Sequence, residues 1–124
     1  MSKQKLSVFE YLYRDAGNYK TWGTLLLAGI AGAEQVAAVR IVLEPGGLFI
    51  AEQVGVPTLY EQLWQECETG FDPTMDHVWH EFVALRSATP AESEAVPVFG
   101  SLDVLVAGFQ QVACWDERSS RNFE

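Results

Sequence analysis

From Leu6 to Arg14 two apolar sets interleave along the chain. Leu6, Val8 and Leu12 share one side, and Phe9, Tyr11 and Tyr13 share the other. This period of two predicts an aromatic-rich strand with apolar side chains on both faces. Asp15-Ala16-Gly17-Asn18 follows with turn chemistry, and Tyr19 to Leu27 resumes strand character around Trp22 and three leucines. The two segments predict a β-hairpin with a short loop.

Helical spacing then takes over. Over Gly32 to Leu43 the apolar positions Val36, Val39 and Leu43 recur at i, i+3 and i+7, with Glu34 in the first turn. An acid there is favoured by the helix dipole. Glu44-Pro45-Gly46-Gly47 ends the helix, and Leu48 to Ala51 reads as a short strand. Thr58-Leu59-Tyr60-Glu61 has the form of a capping box. It predicts a helix with Leu59, Leu63 and Trp64 inward, ending before Gly70.

Asp76 to Leu85 fits two patterns. A helix groups Met75, Val78, Trp79, Phe82 and Leu85. A strand groups His77, Trp79, Glu81, Val83 and Leu85 against Val78, His80 and Phe82. Its aromatic and β-branched content favours the strand. Pro90 to Pro97 reads as a loop. Ser101 then caps an amphipathic helix through Leu102, Leu105, Val106, Phe109, Val112 and Ala113. The order β-β-α-β-α-β-α predicts an α+β fold, with a mostly antiparallel sheet of about four strands and two or three helices on one face. The expected domain covers residues 1–118, and residues 119–124 form a tail expected to fray.

Composition narrows the classes. The chain has 124 residues, 48% of them hydrophobic and 20% charged, which suits one globular domain. No run of about 18 apolar residues suggests a membrane span. The first ten residues lack an apolar signal core, so the expected compartment is the cytoplasm. The formal net charge of -9 argues against direct binding to nucleic acid, whose affinity comes from Lys and Arg displacing counterions. Solubility explains dispersed acids simply; a sharper reading is an acidic mimic of nucleic acid that inhibits a basic protein. Cys67 and Cys114 lie far apart, outside any CxxC pair, and are expected to be free and buried.

Two constellations offer chemistry. Asp76-His77-Val78-Trp79-His80-Glu81 holds both histidines and two carboxylates within one short segment. On a helix, Asp76, His77, His80 and Glu81 share a face suited to zinc or another divalent metal. On a strand, His77 and His80 point to opposite faces and cannot share an ion. The spacing is also not HExxH. The second constellation surrounds the hairpin turn, where Arg14, Asp15, Tyr19, Lys20 and Trp22 combine rigid aromatic area with charge, the chemistry of binding hot spots. The plainer reading places its aromatics in the core. Pro45-Gly46-Gly47 lacks the rest of a phosphate loop, and no GxSxG nucleophile elbow occurs.

The segments Phe9–Gly23, Phe49–Trp64, Asp76–Phe82 and Val98–Phe109 together resemble a family of small bacterial cytoplasmic proteins to which no activity is attached. The resemblance implies a bacterial, cytoplasmic, single-domain protein and transfers no catalytic residue. The leading expectation is therefore a non-enzymatic module that binds a protein partner through the hairpin, with no cofactor, no nucleic acid and no membrane. The alternatives are a metal-dependent hydrolase or metal-binding protein using the Asp76–Glu81 segment, and the acidic mimic. A homodimer through a free strand edge is compatible with each.

Overall fold

The hairpin forms as the alternation dictates. In the computed structural model, which describes residues 5–95, 97–120 and 122, β1 (Leu6–Arg14) pairs antiparallel with β2 (Lys20–Ala28), from Leu6 opposite Ala28 to Arg14 opposite Lys20. Phe9, Tyr11 and Tyr13 enter the main core, while Val8 and Leu12, also buried, turn to the other face. α1 (Ala33–Arg40) ends a few residues earlier than its periodicity suggests, and Gly46 and Gly47 then turn the chain at φ 90° and 77°. That left-handed region is open to glycine at little steric cost. β3 (Leu48–Phe49) and the one-turn α2 (Ala51–Val54) follow. α3 (Tyr60–Cys67) buries Tyr60 and Leu63 and packs Trp64 partly against the core.

The strand reading of the ambiguous segment holds from His80 onward, because β4 runs His80–Ser87 and pairs antiparallel with β1. Its facing differs from simple alternation. Phe82 lies opposite Tyr11 and Ala84 opposite Glu10, so Val83 is an extra residue in a bulge. One extra residue reverses the parity beyond it. Leu85 therefore joins the core with Phe82, while Glu81 lies opposite Leu12 on the other face. His77 and Trp79 precede the strand altogether.

The expected loop at Pro90–Pro97 instead holds a short helix, α4 (Pro90–Ala95), leading to a fifth strand, β5 (Val98–Ser101). β5 pairs parallel with β2 through Leu26, Leu27 and Ala28. The sheet thus has five strands in the order β3-β4-β1-β2-β5, all antiparallel except at β5. α5 (Leu102–Gln110) begins as expected, with the Ser101 hydroxyl accepting the Asp103 N–H at 3.1 Å. It buries Leu102, Leu105, Val106 and Phe109.

The fold is one α+β domain. Its three substantial helices, α1, α3 and α5, cover the face that carries Phe9, Tyr11, Tyr13, Leu25 and Leu27. On the opposite face, Arg86 joins Glu10 to Glu92 of α4. No helix among the described residues is long and apolar enough to cross a membrane. Two expectations are corrected here. Both cysteines are exposed. In the tail, Ser120 and Asn122 are buried rather than frayed; residues 121, 123 and 124 lie outside the described residues. Ser120 is held because its hydroxyl bonds the Glu52 carboxylate at 2.7 Å and meets the Tyr60 hydroxyl at 3.2 Å.

Candidate functional site at the hairpin tip

The β1–β2 loop is built by one carboxylate. Asp15 Oδ1 accepts the backbone N–H groups of Gly17 at 2.9 Å and Tyr19 at 3.0 Å, and Asn18 takes φ 68°. Short polar side chains that bond their own backbone stabilise such a turn. The loop is then fastened to the segment before β4. Ala16 N–H donates to Met75 O at 2.9 Å. The approach is close enough that a Cβ at Gly17 would stand 2.5 Å from Met75 Cε. Tyr13 extends the fastening: its hydroxyl donates to Asp76 Oδ1 at 2.6 Å and accepts the His77 N–H at 3.2 Å.

Between this tip and the end of α3 lies a cavity of about 380 Å³, lined in part by Asp15, Tyr19, Trp64, Cys67, Asp72 and Asp76. Asp76 organises its wall. Its Oδ2 accepts the Trp64 indole N–H at 3.0 Å and the Asp72 backbone N–H at 2.9 Å, while Oδ1 holds Tyr13. Burial, and then the bond to Asp76, raise the Tyr13 phenol above its ordinary value, so it stays a donor. Asp72 Oδ1 accepts the N–H and hydroxyl of Thr74, at 2.9 and 2.7 Å. Those two bonds hold the Asp72 carboxyl below the usual range, so it is ionised at neutral pH.

The hairpin residues read from the sequence divide between two places. Asp15 and Tyr19 line the cavity. Arg14, Lys20 and Trp22 belong to the sheet face away from the helices, with Leu12 and Glu81. Arg14 Nε bonds Glu81 Oε2 at 2.9 Å, and its Nη1 donates to Asn18 Oδ1. Tyr19 and Trp22 are the prominent aromatics, 60% and 56% exposed.

The structure does not bring the four metal candidates together. His80 is fully buried among Tyr11, Tyr13, Phe49 and Tyr60, with ring centroids 4.9 to 6.0 Å away. Its Nε2 accepts the Leu59 N–H at 3.0 Å, at the start of α3. That bond requires an unprotonated Nε2 and places the proton of the neutral ring on Nδ1. Burial, and then nearby His77, lower the His80 pKa to about 3, so the ring is neutral at physiological pH. Nδ1 itself is buried without a partner among the described residues. His77 has both nitrogens engaged: Nδ1 accepts the Trp79 N–H at 3.0 Å, and Nε2 donates to Arg14 O at 2.6 Å. Asp76 holds Tyr13 and Trp64, and Glu81 holds Arg14. Among the described residues no group of three or more His, Cys, Asp or Glu is placed to hold a metal ion.

Sequence reasoning passed over Trp64, Cys67 and Asp72 as site residues. Trp64 read as a core residue. The signal available was the Asp72-x-Thr74 turn, whose two bonds fix the Asp72 carboxylate. Comparison with known protein families, with curated proteins and with solved structures finds no match to this chain, so geometry alone carries the functional reading.

Proposed function

We propose that this chain is a non-enzymatic binding module that engages a protein partner through the β1–β2 hairpin tip. The observation that carries the reading is that two aromatics flank the tip, both more than half exposed: Tyr19 in the loop fastened to the Met75 backbone, and Trp22 just inside β2. Large aromatics on a rigid support bury much area for little loss of side-chain freedom, which is why they anchor interfaces. The residues the sequence offered for metal chemistry are instead engaged in bonds that hold the fold: His80 at α3, His77 at Arg14 and Trp79, Asp76 at Tyr13 and Trp64, Glu81 at Arg14.

The test is partner capture from the native lysate with the tagged chain and its Trp22→Ala/Arg14→Ala variant. The double variant is expected to lose capture while its stability changes by no more than about 1 kcal/mol, because Trp22 is more than half exposed and the Arg14–Glu81 pair is partly solvated. Capture that survives the double substitution would overturn the assignment.

A further inference from the structure

We infer that the cavity beside the hairpin tip is a socket for a cationic side chain, arginine or lysine, presented by a basic segment of the protein partner. The inference rests on the binding-module reading and names the chemistry of the partner.

Charge complementarity is the first support. Asp15, Asp72 and Asp76 line the cavity, and among its described lining residues there is no lysine, arginine or histidine. The chain as a whole carries a formal charge of -9, which attracts basic segments over the distance of a Debye length. Hydrogen-bond accounting is the second. Asp76 is saturated by Tyr13, Trp64 and the Asp72 N–H. Asp15 and Asp72 differ, because their turns engage Oδ1 and leave each Oδ2 without a partner among the described residues. Two carboxylate oxygens thus stand ready to accept from a guanidinium or ammonium group.

The walls suit the rest of such a side chain. The Trp64 N–H is taken by Asp76, so what Trp64 offers the cavity is aromatic surface. Leu63, Met75 and Tyr19 add further apolar area. Arginine and lysine combine an aliphatic stem with a charged head, and aromatic faces attract cations. An anionic side chain would meet repulsion, and an apolar one would desolvate the carboxylates without replacing their hydrogen bonds. The volume of about 380 Å³ is at the lower end of ligand pockets. Tyr19 lines the cavity and is also exposed at the tip, so a segment lying across the tip passes its mouth.

The experiment is a titration followed by proton–nitrogen correlation NMR of the full chain. The probe is acetyl-Gly-Ser-Arg-Ser-Gly-amide, compared with the same peptide carrying citrulline, which keeps the shape and removes the charge. The arginine peptide is expected to shift the Trp64 indole and the Gly70 and Asp72 amides saturably, and to bind about tenfold more tightly than the citrulline peptide. The Asp15→Asn/Asp72→Asn variant keeps an oxygen acceptor for both turns and should reduce arginine binding to the citrulline level. No shift at Trp64, equal binding of the citrulline peptide, or full binding by the double variant would each overturn the socket. Methylguanidine binding as tightly as the peptide would overturn the assignment to a protein side chain and point to a small free cation. If the socket fails while capture still needs Trp22 and Arg14, the binding module stands without it. If capture survives Trp22→Ala/Arg14→Ala, the module itself has failed.

Discussion

Tyr13 separates two polar sites that share its side chain. Its ring packs against His80 and Tyr60, with centroids 5.3 and 4.7 Å away, while its hydroxyl reaches Asp76 at the cavity. On the His80 side the environment is sealed, and the imidazole is held neutral as an acceptor for one backbone N–H. On the cavity side the carboxylates line an open cavity, and Asp15 and Asp72 each keep one oxygen without a partner among the described residues. Both neighbourhoods combine titratable groups with aromatic rings. Access to water separates the two, because a buried charge must be neutralised or paired whereas a solvated one stays free to accept further hydrogen bonds.

The two sites differ most at His80. His80→Ala removes a fully buried ring and leaves the Leu59 N–H without its acceptor. A loss of about 3–5 kcal/mol is expected from the cavity and the orphaned donor together, read as a lower urea midpoint. An unchanged midpoint would mean that His80 does not organise the start of α3.

Acid probes the same site more gently. The unfolded chain takes up a proton at His80 below about pH 6.5, whereas the folded chain resists until about 3. The unfolded state therefore binds more protons between these values, and stability present above 6.5 is lost as pH falls toward 3. The contribution is at most about 1.4 kcal/mol per pH unit. It should be largely absent in His80→Gln, whose amide still offers an acceptor. Urea midpoints that fall equally with pH in both proteins would exclude His80 as the cause.

Tyr13→Phe sharpens the comparison, because it keeps the ring beside His80 and deletes the link to the cavity. A loss of about 1–2 kcal/mol is expected from the Asp76 and His77 bonds. NMR should show the change concentrated at Asp76, His77 and the Trp64 indole. Equal perturbation around Leu59 would mean that the two sites are not separable at Tyr13.

The hairpin was legible because its signals are local. Alternation from Leu6 and the turn residues Asp15 to Asn18 act within one short segment, as do the Ser101 cap and the spacing of α5. β5 was not legible, because four residues ending in Gly100 and Ser101 become a strand only by pairing with β2, far back in the chain. The facing of β4 was hidden by Val83, an insertion visible only against its partner strand. The site was half legible. Asp15 and Tyr19 were named from the turn, but the opposite wall comes from Trp64, Cys67 and Asp72, which nothing local connects to the hairpin. Cysteine burial failed because it was inferred from the general tendency of the residue, and Cys67 is the exposed last residue of α3.

The central position of β1 also bears on how the chain comes off the ribosome. Its local partner β2 is made at once, but Glu81, which pairs with Leu12, follows 69 residues later (81 − 12). At about 5–20 residues per second, that stretch takes roughly 3–14 seconds to make. Throughout that interval Phe9, Tyr11 and Tyr13 on one face, and Val8, Leu12 and Leu26 on the other, lack the cover they have in the finished fold. The central strand of the completed sheet is thus made early and covered late, which lengthens its exposure to misassociation during synthesis.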